Sequence, residues 1–124
     1  EELIETSLER DIEDQLVDNL EAIEPGLKFV ARQFPTEVGR IDILAEDRKG
    51  ARVIIEVKVG EAEDSVIGQI ARYLGWFAQQ DGKAPRGFVI ASGFPEGVQC
   101  AATMIDGLRL LSYRVNFSFE EARV

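Results

Sequence analysis

The sequence predicts a single α/β domain over residues 1–124, with a mixed central sheet flanked by helices in the order αβββαβαβ. Three observations predict it. Leu8, Ile12, Leu16 and Leu20 recur at the spacing of a helical stripe. Gly39-Arg40-Ile41-Asp42-Ile43-Leu44 and Val53-Ile54-Ile55-Glu56-Val57-Lys58 read as strands on either side of a turn signal, Asp47-Arg48-Lys49-Gly50. A second helical stripe, a short apolar run, a small-residue helix and a last strand then follow in turn.

The first helix spans Leu3 to Leu20, with Val17 and Ile23 widening its stripe, and Pro25-Gly26 ends it. Most of its acids belong to a solvated face. Glu9 and Glu13, one turn apart beside the stripe, are the two whose side remains open. Leu27 to Phe34 is the first strand, closed by Pro35, and the hairpin supplies the second and third. In the acidic loop from Gly60, Asp64 or Ser65 is expected to cap the next helix. That helix runs from Val66 to Gln80 with Ile70, Leu74 and Phe77 inward, and Asp81-Gly82-Lys83 stops it. It also carries Gln69, Arg72 and Tyr73 at spacings that place them on one face. Gly87 to Ala91 suits a buried strand, Glu96 to Asp106 a helix stopped by Gly107, and Leu108 to Val115 the last strand. Tyr113, Val115, Phe117 and Phe119 alternate with polar residues, so an edge ribbon reaching the C-terminus is expected, and with it a homodimer face. Trp76 and Phe77 are expected in the core, and Cys100 as a small buried filler.

Composition narrows the chemistry. No apolar run approaches the ~20 residues that span a bilayer, no secretory signal is visible, and Cys100 is the single cysteine; a cytoplasmic protein with no membrane partner is expected. Histidine is absent. That removes Ser-His-Asp and Cys-His catalysis and the usual zinc sites, leaving acid–base work to carboxylates, lysine, tyrosine or a metal-bound water. The formal charge of −9 argues against a generic polyphosphate-binding surface. The acidity is concentrated between Glu1 and Glu24, where Arg10 is the one cation, so a local basic groove elsewhere is compatible with it.

In an antiparallel hairpin centred near Arg48 and Lys49, opposed residues have numbers summing to about 97 or 98. Asp42 then falls opposite Ile55 or Glu56. Period two puts Glu56 and Lys58 on one face, Ile55, Val57 and Val59 on the other, with Ile41 and Ile43 opposing the face of Asp42. Two carboxylates and an ammonium thus converge inside an apolar hairpin, where charge is costly unless paired or metal-bound. Hard oxygen ligands suit Mg²⁺ or Mn²⁺. Asp42 and Glu56 are the candidate carboxylate ligands, with the carbonyl of Val57 as a third. Lys58 points at the same spot, placed to act on the attacking water or on charge developing in phosphodiester hydrolysis.

Asp, a short hairpin, then Glu-x-Lys is the signature of the PD-(D/E)xK nuclease superfamily. The wider pattern resembles the catalytic domain of the NucS (EndoMS) endonuclease family. The words that carry the resemblance are Ile23-Glu24-Pro25-Gly26-Leu27, Val38-Gly39-Arg40-Ile41-Asp42-Ile43-Leu44, Glu56-Val57-Lys58, Gly68-Gln69-Ile70-Ala71-Arg72-Tyr73-Leu74 and Arg86-Gly87-Phe88-Val89-Ile90-Ala91. The resemblance implies a restriction-endonuclease-like core, with Asp42 and Glu56 as metal ligands and Lys58 as the catalytic lysine. It places Gln69 and Tyr73 beside the site and matches Glu9 to the acidic residue of the first helix, with Glu13 its replacement if that helix is rotated by a turn. Arg40 would sit near the scissile phosphate, and Arg72 and Tyr73 join it as expected nucleic-acid contacts. The implied activity is that of a Mg²⁺- or Mn²⁺-dependent DNA endonuclease of repair or defence, acting on branched, mismatched or single-stranded DNA. The alternative is a catalytically inactive or partner-dependent nucleic-acid-binding module on the same fold. Ile41 stands where the superfamily's name has proline, and Val59 where the family often has a basic residue. The family's N-terminal DNA-binding and dimerisation domain has no counterpart within these residues, so a DNA-binding partner domain or subunit is expected.

Overall fold

The computed structural model describes residues 2–123, with side chains described from Ser7 onward. Its elements are α1 (Glu2–Asp18), α2 (Leu20–Ile23), β1 (Lys28–Thr36), β2 (Gly39–Glu46), β3 (Arg52–Val57), α3 (Ser65–Asp81), β4 (Arg86–Ala91), α4 (Glu96–Ala102) and β5 (Leu108–Ser112). One five-stranded sheet takes them in sequence order, antiparallel from β1 to β3 and parallel from β3 to β5. The expected mixed sheet and element order are observed. Among the described residues, no helix is long and apolar enough to cross a membrane.

The sheet is buried on both faces. Ile54, Leu44, Ile41 and Val89 pack with Val66, Ile70, Tyr73, Leu74 and Phe77 of α3. Ile43, Val53, Ile55, Val57, Phe88 and Ile90 form the opposite core with Leu20 and Leu27, covered by Ile12, Leu16 and Val17 of α1. Leu8, at the head of the expected stripe, is exposed. The central strand β3 has no exposed surface from Val53 to Val57, and Glu56 lies within that run.

Local chemistry sets most boundaries. Asp47 Oδ1 accepts from the amides of Lys49 and Ala51, and Gly50 adopts φ 82°, which makes the turn the sequence signals. Gly82 ends α3 in the left-handed region, its N–H donating to the carbonyl of Ala78. The first helix breaks one residue before Leu20, where Asn19 donates its side-chain amide back to the carbonyl of Gln15. Pro35 does not close β1, because this strand lies on the sheet edge, where a missing N–H is tolerated. Asp64 stands at the N-terminus of α3 without a side-chain capping bond, and the helix is started by backbone bonds to the carbonyls of Glu63 and Asp64. The α4 helix stops at Ala102, short of Asp106.

Three further expectations are corrected. β5 ends at Ser112, and residues 113–123 form no ribbon. Tyr113 is instead tied back, accepting at its hydroxyl from the N–H of Gly60, while Phe117 and Phe119 are exposed. Cys100 is exposed on α4, whose buried residues are Val98 and Ala102. Ile41 packs on the α3 face while Ile43 packs on the α1 face, so the two do not share a side. That break in alternation lies at Asp42.

Candidate active site

The hairpin register is that of residue numbers summing to 98: Ile43 pairs with Ile55 and Leu44 with Ile54. The next pair would be Asp42 and Glu56, and there the ladder gives way to side chains. The N–H of Asp42 donates to Glu56 Oε2 at 2.9 Å, and the N–H of Val57 donates to Asp42 Oδ2 at 2.8 Å. Each carboxylate therefore takes a backbone amide that the separating strands would otherwise leave unpaired. β3 meanwhile stays paired with β4, Lys58 N–H donating to the carbonyl of Ile90. β2 and β3 open as a fork, and the two acids sit at its root.

The other acids come from α1. One carboxylate oxygen each of Glu9, Glu13 and Asp42 lie within 4.8 Å of one another. Glu9 and Glu13, one turn apart, both face the site, which closes the choice between them. Glu13 is almost wholly buried and heavily bonded: Arg32 Nε donates to Oε1 at 3.0 Å, and Gln33 Nε2 lies 3.1 and 3.2 Å from its two oxygens. Gln33 Nε2 also stands 3.5 Å from Asp42 Oδ1. A cavity of about 490 Å³ opens over this group, lined by Glu9, Arg10, Glu13, Arg32, Gln33 and Arg40. A second, of about 260 Å³, shares Glu9 and brings in Lys58, Val59 and Ser65.

Electrostatics follow from that burial. Loss of solvent pushes the Glu56 carboxyl up, and the neighbouring Asp42 charge pushes it further, against the amide of Asp42 and the Lys58 ammonium. Asp42 is raised for the same first reason, with Glu13 and Glu9 adding to it, while the Val57 amide and Lys58 oppose. Glu9 is raised by burial and by Glu13, again with Lys58 opposing. Glu56 Oε1 is buried and has no hydrogen-bond partner. A hard divalent cation would find suitable oxygen donors in these three converging carboxylates and in the orphaned buried oxygen beside them.

Of the remaining predicted residues, Arg40 is exposed and lines the larger cavity. Val57 contributes its N–H to Asp42. Arg72 is exposed, whereas Tyr73 is buried with its hydroxyl donating to the carbonyl of Arg40 at 2.9 Å. Gln69 Nε2 lies 3.4 Å from that hydroxyl. Tyr73 is therefore placed to hold the start of β2, not to meet nucleic acid from the surface. The residues the sequence reading missed are Arg32 and Gln33. No strand pattern flags them, since consecutive residues should point to opposite faces.

Residues 8–114 match the sequence model of the family described as the endonuclease NucS C-terminal domain. The chain belongs to that family. Endonuclease NucS of Sulfolobus acidocaldarius is 32% identical over 88 residues, covering 71% of this chain and 35% of that protein. Endonuclease NucS of Pyrococcus furiosus is 31% identical over 99 residues, 80% of this chain and 37% of its own length. The chain thus spans little more than a third of these NucS proteins. A repair endonuclease from Pyrococcus abyssi superposes with a TM-score of 0.79 at 26% identity, covering 85% of this chain and 46% of that one. EndoMS in a complex with double-stranded DNA superposes with a TM-score of 0.80 at 24% identity, covering 89% of this chain and 46% of that one, a likeness of fold. Glu24 and Arg86, far apart in sequence, meet in the structure. The Arg86 guanidinium bonds both Glu24 oxygens, at 2.7 and 2.6 Å, and reaches Asp47 at 3.1 Å. One side chain ties the turn before β1 to the hairpin turn.

Proposed function

We propose that this domain is a divalent-metal-dependent DNA endonuclease that hydrolyses phosphodiester bonds in repair or defence. The observation that carries the reading is the convergence of Glu9, Glu13 and Asp42 beside Lys58 and the orphaned oxygen of Glu56. The names of the relatives, all endonucleases, support the reaction class. Asp42, Glu9, Glu13 and Glu56 would hold Mg²⁺ or Mn²⁺, with the carbonyl of Val57 available as a neutral ligand. Such a cation lowers the pKa of bound water and offsets phosphate charge. Lys58 orients the attacking water and neutralises charge that develops on the phosphate. Arg40, exposed and lining the cavity, is the phosphate contact, and Arg72, exposed on α3, is a further nucleic-acid contact. Gln69 and Tyr73 act behind it by fixing the backbone at Arg40.

A second reading, in which the domain cuts only with a DNA-binding partner domain or subunit, is favoured by the net charge of −9. Cleavage of branched, mismatched and single-stranded oligonucleotides in Mn²⁺, by wild type, Lys58→Ala and Glu56→Gln, tests both. Cutting by wild type that both variants lose supports the autonomous nuclease. Wild type that takes up Mn²⁺ yet cuts nothing favours the partner-dependent reading. Cutting that survives in Lys58→Ala rejects the site.

A further inference from the structure

Among the described residues, Gln33 is the only non-glycine with positive φ, at 53°. A residue with a Cβ adopts that region reluctantly, and glycine is its usual occupant. Packing does not explain a glutamine here, because Gln33 is exposed. Strand pairing does not explain it either: Arg32 pairs with Ile43 and Phe34 with Ile41, in one register on both sides of it. What the twist does achieve is visible at Glu13. Arg32 and Gln33 are consecutive, so a regular pleat would send them to opposite faces, yet both bond the same carboxylate. The position opposite Gln33 in that register is Asp42, and the amide reaches this second acid too.

We propose that Gln33 is a positioning residue of the acid cluster. Its unfavourable backbone aims the side-chain amide between Glu13 and Asp42 and holds two like charges at the spacing a divalent cation takes. This rests on the reading of those acids as a metal site. The test compares Gln33→Gly, which suits the backbone and deletes the amide, with Gln33→Asn, which also tolerates positive φ and keeps a shorter amide. Mn²⁺ binding is measured by calorimetry, and melting is followed in metal-free buffer. Gln33→Gly is expected to melt at or above the wild-type temperature while its Kd for Mn²⁺ rises about tenfold, with Gln33→Asn between the two. An unchanged Kd in folded Gln33→Gly overturns the proposal, and so does a tighter one, which would mean that the amide competes with the cation. A metal-free cycle with Glu13→Gln separates the proposal from the function beneath it. Melting shifts that fail to add support the clasp, and shifts that add reject it. Wild type that takes up no Mn²⁺ overturns the metal site itself, whichever way the cycle falls.

Discussion

A carboxyl with no exposed surface and one unpartnered oxygen, as at Glu56, is stable either protonated or bound to a cation. Its pKa rises from 4.5 to about 8 through burial and then the charge of Asp42, which itself rises from 3.8 to about 6. Raised values mean that the folded state prefers the protonated acids. Their contribution to stability is therefore full below the unfolded values and is lost as pH climbs through about 6 and then about 8. Metal-free protein is expected to melt at falling temperature across that window. Glu56→Gln, which keeps an acceptor for the Asp42 amide, should flatten the fall and melt at or above wild type at the alkaline end. A thermal series in chelator over pH checks this, and an equally steep fall in the variant would refute it. Lys58 contributes differently. Lys58→Ala is expected to keep the fold and Mn²⁺ binding while cleavage drops by roughly 10²–10⁴, the size of a lost general acid–base or electrostatic contribution. Parallel calorimetry and cleavage assays read the two effects apart.

Among the elements, the start of β2 depends on what supports it. Gly39 has φ 134°, and a Cβ there would stand 2.8 Å from the Tyr73 hydroxyl, which holds the carbonyl of Arg40. Gly39→Ala meets both a strained backbone and a clash, so a loss of about 1–3 kcal/mol is expected in chemical denaturation. Tyr73→Phe removes only the hydrogen bond, and about 0.5–1.5 kcal/mol should go with it. If the two variants were equally stable, the clash would not matter. At the far end of the sheet, Arg86→Ala unties the turns carrying Glu24 and Asp47. A bidentate, partly exposed pair of this kind is worth on the order of 1 kcal/mol. The melting temperature should fall by a few degrees with Mn²⁺ affinity unchanged, because the clamp and the acids lie on different ends of the strands.

For the molecule as a whole, acidity and function are reconciled by where the charge sits. Acids of α1 are folded against the fork, so part of the N-terminal charge is drawn into the cluster that a cation would neutralise. Arg40 remains exposed at the cavity that opens over it. Arg40→Ala is expected to weaken DNA binding across sequences and to lower the slope of log affinity against log salt by about one phosphate contact. Binding titrations at several salt concentrations check it, and an unchanged slope would move the phosphate contact elsewhere. Full affinity is expected to need the positive surface of a partner domain or subunit.

Short-range patterns carried the element order, the mixed sheet, the turn at Asp47 to Gly50, the helix stop at Gly82 and the hairpin register to within one residue. Each depends on local propensity or on counting from a turn, so a linear chain displays it. That Asp42 and Glu56 are neighbours was legible for the same reason, since either register brings them close. Other features depended on how β1, β2 and α1 meet in space. Whether Glu9 or Glu13 faced the fork depended on the helix's rotation, and its docking turned both inward. The left-handed backbone at Gln33 and the shift of Ile41 onto the α3 face break the period of two that any strand reading assumes. Tyr73 shares a helical spacing with Gln69 and Arg72, but the packing of α3 on the sheet buries it and leaves Arg72 outside. Local sequence determined which elements form and in what order. Tertiary packing decided which charged side chains they turn toward one point, because that depends on rotations and bends a few residues long that no periodicity records.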